Sequence, residues 1–232
     1  MGTPYYVIAA TSTPVSRVKG FYQDDADSPA RLLDNPGRFR HAGFDVATLD
    51  VAKLVGGDLW EVQSPGRKLL HLYQDGSLLY RMRADSEFLG WGSQSHYFNG
   101  WVNPVAAIES QTSFVHLYAR VMPLMLTPVT QVDFELRFQN GVYDGTRLAI
   151  TEYRKDPMKF AVSRKHYPIH DADASARVRA AAEEIRAHPN RSAYRIVRAF
   201  YELFDAGPEI IPFTATVDGQ PEVDIGAIQA LH

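Results

Sequence analysis

The clearest pattern in the chain is an alternation. Val132, Phe134, Leu136 and Phe138 alternate with Asp133, Glu135, Arg137 and Gln139. A period of two predicts a strand with one face on a core and the other in water. Upstream, short apolar runs are separated by glycine-containing turns. Residues 54–55 and 59–62 flank Gly56-Gly57, and residues 68–73 and 77–82 flank Asp75-Gly76, with Ser64-Pro65-Gly66 between the two hairpins. Connections this short leave no room for crossovers, so they predict a four-strand antiparallel meander. Asp75 and Gly76 are expected at the two central positions of their turn. Residues 5–9 read as a further short strand, and residues 29–33 as a helical turn after an acidic loop. A strand near residues 147–152 is the expected partner of the alternating strand.

Two helices stand out. Asn103 is a good N-cap, and Pro104 suits the first helical position, where a missing N–H costs nothing. Val105, Ile108, Val115, Ala119 and Met122 share one face, and Phe114, Tyr118, Val121 and Met125 widen it. Pro123 ends or kinks this helix. The second helix is expected over residues 191–204, capped by Asn190, with Ile196, Val197, Phe200 and Phe204 on its apolar stripe and Gly207-Pro208 as its stop. Residues 175–187 are rich in helix formers and read as helical too. The expected fold class is α+β: an antiparallel sheet, a hairpin meander, packed against two main helices. Residues 1–213 are expected to make one domain, and residues 214–232 a loosely ordered tail.

Composition narrows the function classes. The 232 residues include no cysteine, which excludes disulfides, thiol nucleophiles and Cys-ligated metals. No signal-like segment opens the sequence, and no apolar run approaches the roughly 20 residues of a spanning helix. A cytoplasmic protein without a membrane partner is the expectation. The net charge of −3 argues against strong non-specific nucleic-acid binding but leaves room for a local basic patch. Gly90 and Gly92 begin a glycine motif that Ser95 breaks, and neither a nucleophile elbow nor a zinc-protease motif is present. No cofactor is expected.

Four groups of residues could carry chemistry. The first is the Gly- and aromatic-rich loop with Trp91, His96, Tyr97, Asn99 and Trp101. Polar groups among rings can anchor a ligand or protein partner, or the rings can simply plug the end of the sheet. At least one of the two tryptophans is expected to be exposed. The second is His166, His170, Asp171 and Asp173, a donor set that suits zinc or manganese. Pro168 disfavours the helix that would align the two histidines, so no metal is expected there. The third is Glu109, Ser113, His116 and Arg120, one row along the first helix, read as a solvated or partner-facing strip rather than a nucleophile and base. The fourth is Arg191, Arg195 and Arg198 on one face of the second helix, downstream of Arg177, Arg179 and Arg186. Guanidinium groups bind phosphates, so this stripe is a nucleic-acid candidate, against an ordinary solvated face with an Arg198–Glu202 pair.

The stretches YYVIAATSTPVSR, PGRFRHAGFDVATLD, GRKLLHLYQDGSLLYRMRADSEFLGWG and VNPVAAIESQTSFVHLYARVM resemble bacterial proteins that carry a Schlafen-type, Alba-like putative DNA-binding domain. The first resembles that domain's closing strand, and the others resemble the region that follows it. The resemblance spans residues 5–213 and lacks the Alba-like domain itself, so no catalytic residue carries over. It implies a carboxy-terminal accessory module. The leading expectation is therefore a non-enzymatic sensing or interaction module. Its partner would be a protein or a covalently linked nucleic-acid-related domain, in regulation or defence. The rivals are a hydrolase or nuclease acting at the loop of Trp91 and Trp101, and nucleic-acid binding through the arginine stripe.

Overall fold

A computed structural model describes residues 2–23, 28–41, 43–47, 50–91, 100–143, 145–153 and 165–231. In chain order its elements are β1 (Tyr5–Thr13), α1 (Pro29–Asp34), β2 (Lys53–Val55), β3 (Leu59–Ser64), β4 (Lys68–Tyr73), β5 (Leu78–Arg83), β6 (Trp101–Val102), α2 (Pro104–Val121), β7 (Gln131–Gln139), β8 (Val142–Tyr143), β9 (Thr146–Arg147), β10 (Ala149–Thr151), β11 (His166–Pro168), β12 (Ser175–Ala181), α3 (Ala182–Ala187), α4 (Pro189–Glu202), β13 (Thr214–Val217), β14 (Gln220–Val223) and α5 (Ile225–Gln229).

The fold is α+β. Among the described residues, seven strands form one sheet in the order β12-β7-β1-β5-β4-β3-β2. Every neighbouring pair in it is antiparallel. The expected meander is β2 to β5. The Gly56-Gly57 turn works because both glycines sit at positive φ, 63° and 86°. Asp75-Gly76 differs from expectation. The Gly76 N–H bonds to the Tyr73 carbonyl at 2.9 Å, which puts Gln74 and Asp75 at the centre of the turn. Gly76 follows at φ +80°, giving a three-residue loop.

One face of the sheet is the core. Tyr6, Ile8, Leu70, Leu72, Tyr80, Phe134 and Phe138 point into it and are fully buried. Helices α2 and α4 cover them. Phe114 of α2 lies 6.5 Å from both Tyr80 and Phe134. Phe138 meets Phe200 at 5.6 Å and Phe204 at 5.4 Å, and Tyr6 meets Phe200 at 5.0 Å. Truncating such a ring costs about 3–5 kcal/mol. Helix α2 begins as its sequence requires, with Asn103 Oδ1 accepting the Val105 N–H at 2.9 Å and Pro104 in the first turn. It gives way to a 3₁₀ turn at Met122–Leu124, around Pro123. Alternate side chains on the other face of the sheet are partly or fully exposed. Among the described residues, no helix is long and apolar enough to cross a membrane.

Several expectations are corrected. Residues 175–181 form β12, the edge strand beside β7, and only Ala182–Ala187 are helical. A free strand edge on β7 outweighs the weak helix preference of Ala and Arg. With β1 and β12 on its two sides, β7 has no room for the segment near 147–152. Instead β10 joins β6 and β11 in a separate three-stranded sheet. Helix α4 starts at Pro189, so its cap position is His188 and Asn190 lies inside the helix. The segment after Phe213 is a hairpin, β13–β14, with Asp218 and Gly219 at φ 52° and 73° in its two-residue turn. It packs on α4 and is followed by α5, and Val223 and Ile228 are buried.

Candidate functional site

The polar row of α2 is internal at Glu109 and Ser113, half-buried at His116 and exposed at Arg120. Glu109 is fully buried, and Arg40 forks onto it, with Nη2 2.7 Å from Oε2 and Nε 3.3 and 3.2 Å from the two oxygens. Ser113 Oγ accepts the Val46 N–H at 2.8 Å. His116 Nε2 is 2.8 Å from Asn190 Oδ1 on α4, and its ring meets the edge of Phe39 at 5.2 Å. Burial lowers the His116 pKa, and the bond to Asn190 works against that. Arg120 Nη1 donates to the Asn35 carbonyl at 3.1 Å. The row therefore straps residues 35–41 and 43–47 onto the helix. It positions that segment; nothing in it forms a nucleophile and base.

The strapped segment carries one wall of a cavity. Asp45 is buried, and its carboxylate accepts the Ala47 N–H at 3.0 Å. Burial raises the Asp45 pKa, opposed by the nearby Lys68 charge. Its main-chain carbonyl accepts from Tyr80 Oη at 3.2 Å and from Lys68 Nζ at 2.9 Å. Lys68 also donates to the Ala47 carbonyl. Lys68 opens β4 in phase with Leu70 and Leu72, so its stem runs toward the core. Burial pulls its pKa down to about 8, with Asp45 partly offsetting the effect. Its ammonium lies 5.4 Å from the centre of the Phe88 ring.

Phe88 and Trp91 come from the turn after β5. Buried Asp85 anchors this turn: Arg83 Nε donates to both its oxygens at 3.0 Å, and its own carbonyl accepts the N–H groups of Phe88 and Gly90 at 3.1 and 2.7 Å. A Cβ on Gly90 would fall within 2.8 Å of the Trp101 carbonyl, so only glycine lets the two segments run this close. Asn103 Nδ2 holds the Trp91 carbonyl at 2.9 Å. From this base Trp91 packs against Phe44 at 5.8 Å, and Phe44 against Phe88 at 5.9 Å. Trp91 nonetheless leaves 59% of its surface in water.

The cavity between these elements has a volume of about 410 Å³, within the range of small-molecule pockets. Phe44, Phe88 and Trp91 give it flat apolar walls. Arg38, Arg67 and Lys68 outnumber its single carboxylate, Glu87, which lies 3.9 Å from Arg67. Rings beside an excess of cations suit a flat ligand with an anionic group.

Of the loop residues singled out in the sequence, Trp91 lines this cavity. Trp101 sits partly buried on β6, and His96, Tyr97 and Asn99 lie outside the described residues. Arg38, Phe44, Lys68 and Phe88 join Trp91 there from outside that group. The available signal was Lys68, a charged residue in phase with the buried leucines of its strand. On α4, Arg195 donates to Glu184 at 2.9 Å and to the Arg179 carbonyl at 2.6 Å, and Arg198 pairs with Glu202 at 3.0 Å. Arg191 is half-buried. His170 lies 3.4 Å from Asp205, and Asp173 accepts the Asn140 N–H at 3.2 Å. Among the described residues, no group of three His, Asp or Glu side chains could hold a metal ion. No family model matches the chain, and no curated protein or solved structure shows a significant match to it.

Proposed function

We propose that this chain is a non-enzymatic sensing module that recognises a small, flat, anionic ligand at the Trp91 cavity, working beside a nucleic-acid-related domain. The observation that carries the reading is Trp91 itself. A large ring held on an anchored backbone, packed on Phe44 and still 59% exposed, borders a cavity with three cations and one carboxylate. Leaving such a ring in water is unfavourable unless something covers it. Arg38 and Arg67 supply forked donors for a carboxylate or phosphate, and Lys68 adds an ammonium whose charge an incoming anion would stabilise. The link to a nucleic-acid domain rests on the sequence resemblance.

Calorimetric titration of the whole chain with AMP, adenosine and inorganic phosphate tests this reading. AMP supplies ring and anion together. It is expected to bind at least about tenfold more tightly than either part alone, because stacking contributes ~1–3 kcal/mol per base. Trp91→Ala should weaken AMP binding by a similar factor at an unchanged unfolding midpoint. Failure of AMP to bind, or equal affinity in Trp91→Ala, refutes the reading.

A further inference from the structure

The outward face of the seven-stranded sheet has an uneven charge. Six outward strand positions are cationic: Lys53, Arg81, Arg83, Arg137, Arg177 and Arg179. Three are anionic: Glu61, Asp133 and Glu135. With Arg83 held by the buried Asp85 carboxylate, five cations still face three carboxylates, an excess of positive charge although the chain as a whole carries −3. Its middle is apolar, with Val7 and Ala9 on β1 beside Leu79 on β5, all only partly covered.

The arginines are arranged for contact. Register places Arg81 and Arg137 on either side of Val7, on β5 and β7. Two strand spacings put their backbones about 10 Å apart. The Arg81 guanidinium lies over the Tyr5 ring, 3.7 Å from its centre, so cation and ring form one platform. Its Nε is shielded from water and has no acceptor among the described residues. Arg137 is exposed and makes no ion pair among the described residues. Next to it a groove of about 270 Å³ runs over Ala9, Thr11, Asp133, Glu135, Arg177 and Arg179. There Arg177 is only 3.6 Å from Glu135, and the Arg179–Asp133 pair at 2.7 Å is solvent-exposed, so neither arginine is deeply committed.

We propose that this open sheet face is a docking surface for single-stranded nucleic acid. Backbone phosphates would lie on Arg81 and Arg137, and a base would stack on the Tyr5–Arg81 platform. Unstacked bases pack on sheet-borne rings and guanidinium planes. A phosphodiester chain also supplies the negative charge that the face lacks. The three carboxylates limit the contacts, so affinity should be modest and dependent on salt. The proposal does not rest on the Trp91 cavity, because Tyr5, Arg81 and Arg137 do not line it.

Fluorescence anisotropy of a labelled oligouridylate of about 12 nucleotides, with the full chain, tests the proposal; that length spans a site of ~4–16 nucleotides. Binding should weaken as salt rises, with a log–log slope of about −1.4, corresponding to ~2 phosphate contacts. Arg137→Glu, at an exposed position that folding tolerates, should lower affinity by at least about tenfold. Tyr5→Ala and Arg81→Ala should do the same at unchanged melting temperature. Arg198→Ala, away from both this face and the Trp91 cavity, should have no effect. Three results would each overturn the proposal: no binding at low salt, unchanged affinity in Arg137→Glu, or a loss confined to Arg198→Ala. A preference for duplex over single strand would overturn it as well.

Discussion

Arg40 forks onto Glu109 so that a fully buried carboxylate of α2 holds the segment carrying Phe44 and Asp45. The pair is a positioning device for the cavity. Removing Glu109 would leave Arg40, only 12% exposed, without its counter-charge. Losses of this kind cost about 3–5 kcal/mol. Glu109→Ala should therefore lower stability by about 3 kcal/mol or more in urea unfolding. A loss below ~1 kcal/mol would mean that the pair contributes little.

Gly43 bears on the same contact. A Cβ built there would overlap the Glu109 carboxylate. Gly43→Ala should push Glu109 off Arg40 and reduce AMP binding along with stability. Calorimetry that finds both unchanged would show that the segment can shift without cost.

Gly76 tests the architecture of the meander. Its φ of +80° disfavours any side chain, and a Cβ would collide with Met125. Gly76→Ala should cost more than the ~1 kcal/mol of the backbone effect alone. A neutral substitution, measured by thermal unfolding, would contradict the packing of this turn on Met125.

Lys68 makes a pH signature. Its folded pKa of about 8 lies below its ordinary 10.5. Between those values the unfolded chain holds a proton that the native chain does not, so raising the pH favours the native state. Relative to Lys68→Met, the wild type should gain about 1–2 kcal/mol between pH 7.5 and 9.5. AMP affinity should fall over the same range as the ammonium loses its charge. A flat difference between the two proteins would place Lys68 in a more polar setting.

The fold was legible where local pattern and tertiary demand agree. The alternation of β7 and the Asn103-Pro104 start of α2 are written in neighbouring residues. Where they disagree, pairing decides. The alanines and arginines of residues 175–181 suit a helix, but β7 needed an edge partner. Asp75-Gly76 and Asp218-Gly219 both lie in hairpins, yet Asp218-Gly219 forms a two-residue turn and Asp75-Gly76 does not. The site was half legible. Trp91 was visible as a ring in a glycine-rich loop. Its partners were not, because Arg38 and Phe44 lie in a stretch with no period to read, and Phe44 is placed by the buried side of α2. Lys68 alone carried a sequence signal, a charge in phase with Leu70 and Leu72.

The most direct test of the central claim follows the indole Nε1–H resonances of the three tryptophans during an AMP titration. Trp60 serves as the internal reference, since its N–H is held by the Phe21 carbonyl at 2.6 Å, away from the cavity. The account predicts a saturable shift of the Trp91 resonance with Trp60 unmoved. A Trp91 resonance that stays in place, or moves only in step with Trp60, would contradict it.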